Sequence, residues 1–280
     1  MGNVKVFRRM NVSTARRLAA FALAIGFARA SAHPDTAEAR AELDRFIAEF
    51  PADPDLYLHR VELRLAHSDW TGAEADLRQA EKLAPRSPRV ACWRGQLCLA
   101  RHDPRAAKKH FDAALALAPD DAEALVFRAR VRAQLGDPAG AHADYSAAIR
   151  GLEAPSPDLF LARAALPIAP ELALAGLDEG LGRIGPAAPL VERALALELR
   201  LGRVDAALAR LDTLAAQSDR QEAWLKRRGD ILAGAGRAAE ARAAYAAALA
   251  AIGRLPAWLR ESPETTHLAG ELTRLCAASS

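Results

Sequence analysis

Aromatic residues are scarce: 4 Trp, 3 Tyr and 8 Phe make up 5% of the 280 residues. A core built on large rings is therefore excluded. Alanine and leucine must supply most of the buried volume, which favours close-packed helices, because alanine has the best helix propensity and lets helix axes approach. Cysteine is nearly absent, with three copies. Cys92 and Cys98 lie six apart on one expected helix and point roughly 120° away from each other, so they should not pair. A remote pairing with Cys276 stays open; otherwise all three are free thiols. Long hydrophobic runs are missing too. The apolar run at 18–28 falls well short of the roughly 20 residues a helix needs to cross a bilayer.

Chemistry-bearing patterns are equally thin. The seven histidines (His33, His59, His67, His102, His110, His142 and His267) show no H-x-x-x-H or H-E-x-x-H spacing, so no metal site is expected. There is no nucleophile elbow, no phosphate loop and no acid/base pair. The expectation is a non-enzyme without catalytic residues, metal or cofactor.

What is present describes a folded chain, 51% hydrophobic and 26% charged. The first 32 residues read as a cleavable signal peptide. Lys5, Arg8, Arg9, Arg16 and Arg17 form its basic start, 18–28 its apolar centre, and Ala30-Ser31-Ala32 its cleavage site, leaving His33 as the new N-terminus. Met10 offers a second possible start, and Arg16-Arg17 hints at twin-arginine export in a poorly matching context. No cysteine follows the cleavage site, so no lipid anchor is expected. The leader also carries the basicity. The whole chain has 38 basic and 35 acidic residues, and removing the six basic residues of 1–32 leaves 32, a formal charge of −3. Net charge then gives no support to a nucleic-acid partner.

A period of 34 residues dominates the remainder. Ala73, Ala107 and Ala141 keep it, as do Asp69, Asp103 and Asp137, then Leu77, Phe111 and Tyr145, then Ala80, Ala114 and Ala148. Pro85 and Pro119 close two of the repeats. His102-Asp103-Pro104 and Gly136-Asp137-Pro138 predict a turn in which aspartate caps a second helix and proline takes its first position, where a missing N–H costs nothing.

These repeats resemble tetratricopeptide repeats, and the resemblance covers most of the chain after the leader. That family has small residues at positions 8, 20 and 27, a large one at 24 and proline at 32. The first repeat, 54–87, has Val61, Ala73, Ala80, Leu77 and Pro85 there; the second, 88–121, has Gly95, Ala107, Ala114, Phe111 and Pro119. The third, 122–155, has Ala129, Ala141, Ala148 and Tyr145, but Glu153 in place of proline. The small residues are expected to bring helices together, and the large one to fill the gap between repeats. In the fourth repeat Pro157-Asp158-Leu159-Phe160-Leu161 echoes 54–58 at an offset of 103, whereas Ala173, Leu177 and Gly180 echo Ala73, Leu77 and Ala80 at 100. Its turn is therefore expected to be three residues shorter. The fifth, 188–221, and sixth, 222–255, show Gly202 and Gly236 at their turns.

The resemblance implies an all-α fold, a right-handed helix-turn-helix solenoid of about six 34-residue repeats with capping helices at both ends. The expected division is a leader at 1–32, an N-terminal cap at 33–53, three regular repeats at 54–155, three degenerate ones at 156–255 and a C-terminal cap at 256–280.

It also implies a groove lined by positions 2, 5, 6, 9, 12 and 13 of the first helices, where partner-binding candidates are Leu58, Glu62, Cys92, Trp93, Gln96, Val126, Phe127 and Arg130. Leu58 and Glu62 stand where relatives that grip acidic tails place lysine and asparagine. The arginines before the small residue (Arg60, Arg94, Arg128, Arg163 and Arg228) are expected to pair with an acid on their own second helix, Arg60 with Asp76 and Arg128 with Asp144. Gly180-Leu181-Gly182-Arg183-Ile184-Gly185 matches the dinucleotide motif by letter, but no strand precedes it. The implied function is an exported scaffold or assembly factor, periplasmic or secreted, binding a protein or peptide in the groove. The alternative is an accessory subunit of an envelope enzyme or polysaccharide-export complex, touching it through the convex face. No nucleic acid, stable membrane anchor or cofactor is expected.

Overall fold

The computed structural model describes residues 36–216 and 218–277. The expected leader at 1–32, its cleavage point and the second start at Met10 lie outside the described residues. Among the described residues there is no strand, and fifteen helices follow one another. None is long and apolar enough to cross a membrane. They fall into two compact bodies, one ending at Ala118 and one beginning at Pro119.

The N-terminal body holds α1 (Thr36–Glu49), α2 (Pro54–Ala66), α3 (Trp70–Leu83), α4 (Pro88–Ala100) and α5 (Pro104–Leu117). Hairpins form between α2 and α3 and between α4 and α5, with α1 packed on α2 and α3 on α4. The C-terminal body repeats the scheme in three further hairpins and one shortened one. Its helices are α6 (Ala122–Gln134), α7 (Pro138–Gly151), α8 (Pro157–Ala164), α9 (Pro170–Ile184), α10 (Ala188–Arg200), α11 (Val204–Ala215), α12 (Gln221–Gly234) and α13 (Ala238–Gly253). A single turn, α14 (Ala257–Arg260), then leads to α15 (Pro263–Ala277), which packs on α13.

The turn chemistry is that of the sequence pattern. Asp69, Asp103 and Asp137 accept hydrogen bonds from the backbone N–H groups of Gly72, Ala106 and Gly140, each at 2.9 Å. A cap of this kind is worth about 1 kcal/mol. The residue before each cap position is left-handed in five repeats: Ser68 (φ 60°), His102 (59°), Gly136 (79°), Gly202 (70°) and Gly236 (74°). In the fifth and sixth repeats the cap position passes to Arg203 and Arg237, which make no side-chain cap.

The periodic alanines form the core. Ala73, Ala80, Ala107, Ala114, Ala141 and Ala148 are all fully buried. The large residue behaves differently from the expectation in the second and sixth repeats. Phe111 and Tyr145's counterpart Tyr245 turn inward onto Gly95 and Gly229, each a glycine of the ring's own repeat. The missing side chain makes room for the ring, so the pair fills space within one repeat.

The fourth repeat also departs from the expected shape. Its turn is not shortened; the loss falls on the first helix. α8 has 8 residues where α2, α4 and α6 have 13, and 165–169 make the connection. Pro167 is the physical reason, since proline disfavours helical geometry at the residue before it and cannot donate to the helix ladder. Leu166 folds back into the core at 8% exposure.

Candidate functional site

The arginine ladder is internally paired. Arg60 donates from Nε and Nη2 to Asp76 (2.9 and 2.6 Å), and Arg128 does the same to Asp144 (2.9 and 2.7 Å), as expected. Both aspartates are buried, and each is held by a second arginine at 3.0 Å, Arg64 on Asp76 and Arg132 on Asp144. These are charge-assisted forks closed on themselves, which is how a buried carboxylate is tolerated. Arg94 and Arg228 are the exceptions. They reach the preceding second helix, Arg94 to Glu81 (2.5 Å) and Glu74 (3.3 Å), Arg228 to Asp212 (2.8 Å). The residues sixteen further on are His110 and Ala244, so their own second helices offer no acid there.

Among the candidate groove residues of the N-terminal body, Leu58 and Cys92 are buried, at 1% and 5% exposure. Leu58 belongs to the core cluster, and Trp93 packs against that cluster while half-buried. Glu62 and Gln96 are partly exposed, and Gln96 Nε2 donates to Cys92 Sγ at 3.8 Å. Beside them, burial and then Arg89 hold the His59 imidazole below its ordinary pKa. In the C-terminal body Val126 packs on the core of the third repeat. Phe127 is half-buried with the Arg130 guanidinium 5.7 Å from its ring centre, a cation–π distance.

One opening on the repeats lies outside the residues named from sequence. A cavity of about 500 Å³ is lined by Leu199, Gly202, Val204, Arg227, Asp230, Ile231, Gly234 and Ala235. Arg227 stands beside the Trp224 ring (5.9 Å) and grips Glu192 with both Nη atoms at 2.7 and 2.6 Å. That fork holds the Glu192 carboxyl below its usual range. Asp230 accepts from Lys226 (2.9 Å) and from the Tyr245 hydroxyl (3.0 Å). Burial first, and then Asp230, push the Tyr245 pKa up to about 12.

Two family descriptions match the chain: tetratricopeptide repeat over 29–88 and 94–158, and tetratricopeptide repeat-like domain over 191–259. The chain belongs to the tetratricopeptide-repeat superfamily. Solved structures agree on the fold. PilW, a widely conserved type IV pilus biogenesis factor, shares 20% identity over 76% of this chain and 99% of its own, with a TM-score of 0.57. Yeast Tom70 shares 16% over 73% of this chain and 44% of its own, with a TM-score of 0.51. No curated protein matches the sequence.

Counted in tetratricopeptide positions, Arg227, Asp230 and Gly234 are 6, 9 and 13 of the sixth repeat, and Leu199 is 12 of the fifth. The signal that would have found the cavity was therefore the groove numbering itself, carried past the third repeat. The dinucleotide-like motif dissolves in the same frame. Gly180 lies in α9 against Phe160 and Leu190, and Gly185 ends that helix at φ 86°.

Proposed function

We propose that the chain is a non-catalytic tetratricopeptide scaffold that binds a protein or peptide outside the cytoplasm, through the first-helix face of its repeats. The leader pattern at 1–32 supports export, with a mature chain of −3 formal charge starting at His33. Its organisation is then the cap at 33–53, regular repeats at 54–155, divergent ones at 156–255 and the cap at 256–280. The observation that carries the reading is the cavity of about 500 Å³ between the first helices of the fifth and sixth repeats and the turn after α10, with Leu199 and Ile231 in its wall and Arg227 and Asp230 beside them. Apolar walls with a few fixed charges suit a peptide side chain and its backbone. Glu62, Trp93 and Gln96 are separate candidates on the N-terminal body, and Val126, Phe127 and Arg130 on the C-terminal body.

Crosslinking pull-down from the native envelope fraction tests this with three forms of the full chain: wild type, Trp93→Ala/Phe127→Ala and Ile231→Arg. A specific partner should be recovered with wild type and fall at least about tenfold, 1.4 kcal/mol, with one of the variants. Undiminished recovery from both, with both still folded by circular dichroism, would move the contact to the second helices.

A further inference from the structure

The fourth repeat keeps the arginine of the buried fork and still pairs it with an acid on its second helix, Glu179, but has neither the aspartate nor the second arginine at the places they hold in the first and third repeats. Arg163 corresponds to Arg60 at the offset of 103, and the helix-two offset of 100 places Gly176 where Asp76 stands. The second arginine is gone as well, since Pro167 occupies the place of Arg64. Arg163 is nonetheless 95% buried. Its Nη1 donates to Ser146 Oγ (3.1 Å), and its Nη2 donates to the Gly176 carbonyl (3.0 Å) and Glu179 Oε2 (2.6 Å). Its Nε, which in Arg60 and Arg128 donates to the aspartate, has no hydrogen-bond partner. The Arg163 side chain also lines a cavity of about 290 Å³, with His142, Ser146, Arg150, Leu172, Ala175, Gly176 and Glu179. A Cβ built on Gly176 would sit 3.0 Å from Nη2 and 3.2 Å from Nε, so the missing side chain would have pointed at the guanidinium.

We propose that this cavity is a carboxylate-binding site, in which a ligand's carboxylate takes the Nε–Nη2 edge of Arg163 that Asp76 and Asp144 occupy on Arg60 and Arg128. The chemistry is that of a bidentate guanidinium–carboxylate pair, planar on both sides and favoured by a desolvated setting. Arg150 and His142 add donors at the cavity wall, and Leu172 and Ala175 add apolar surface for the ligand's carbon chain. Glu179 is the group the ligand displaces. It holds Nη2 through one oxygen only, and its side chain is 44% exposed, so it can turn into water. A small free dicarboxylate and an acidic side chain of a protein partner present the same group.

The test follows the Arg163 Nε–H resonance in the ¹⁵N-labelled full chain, at constant ionic strength, under two titrants. One is sodium succinate; the other is a short peptide blocked at both ends whose only charge is a glutamate side chain. A saturable shift with at least one titrant is expected, several-fold tighter in Glu179→Gln and absent in Gly176→Asp, whose own carboxylate fills the edge. Saturation by succinate alone identifies a small-molecule site, and saturation by the peptide alone identifies a contact to protein. No saturable shift in wild type or Glu179→Gln overturns the proposal, as does an equal response to sodium sulfate.

Discussion

Gly95 and Phe111 occupy one shared volume: a Cβ added to the glycine would lie 2.6 Å from Cε1 of the ring. The first repeat solves the same space with Val61 and Leu77, both fully buried. Gly95→Ala should therefore destabilise the protein by about 1–3 kcal/mol through overpacking. Phe111→Leu alone should also destabilise, by leaving a cavity. The double variant should recover part of the loss, with a coupling of about 1 kcal/mol or more in urea unfolding. Additive losses would show that the two side chains do not compete for space.

Ser68 and His102 hold a left-handed backbone that costs a residue with a Cβ about 1–2 kcal/mol. Gly136, Gly202 and Gly236 adopt it at the same place without that cost. Ser68→Gly and His102→Gly should each raise stability, by about 0.5–1 kcal/mol once the greater freedom of glycine in the unfolded chain is subtracted. Gly136→Ala should lower it by a similar amount, although nothing lies within 4 Å of the added methyl. Thermal melts of the three variants decide the matter.

Asp144 and Asp212 provide a matched contrast in ion pairing. Asp144→Ala removes the buried carboxylate that Arg128 and Arg132 share and should cost about 3–5 kcal/mol. Asp212 is 62% exposed and its partner Arg228 36%, so Asp212→Ala should cost under about 1 kcal/mol. Similar losses in chemical unfolding would mean that the buried forks carry no special weight.

Tyr245 should be visible by its titration. Its folded pKa is raised to about 12 from 10, so the neutral hydroxyl is the form the fold favours. That contribution to stability is complete below pH 10 and is lost as pH rises from about 10 through about 12. Ultraviolet difference titration should show a tyrosinate step near pH 12 that disappears in Tyr245→Phe. A step at the ordinary value, or none removed by the substitution, would contradict the Asp230 contact.

The positions that fix helix ends and side-chain size were legible because they are local and recur. Asp103 caps the helix it begins, and Ala107 and Ala114 are buried wherever their helix packs. The partner of Arg94 was not legible, because it depends on which neighbouring helix supplies an acid within reach, and the residue at 110 is histidine. In the fourth repeat the offset change from 103 to 100 is legible in the sequence, but spacing alone does not say that the loss falls on the first helix and not on the turn. Pro167 carried the correct signal. Of the candidate groove residues, helical spacing alone did not separate Leu58 and Cys92, which face inward, from Glu62 and Gln96, which stay accessible.

The two ways of pairing the arginines make the repeats unequal as building blocks. The first and third carry both halves of their forks, so either can be grafted into another array without leaving Arg60 or Arg128 stranded. The second takes its acids from Glu74 and Glu81 of the repeat before it. Moved behind any other neighbour, it would bring along a charge with nothing to meet it, which fixes its place in the order.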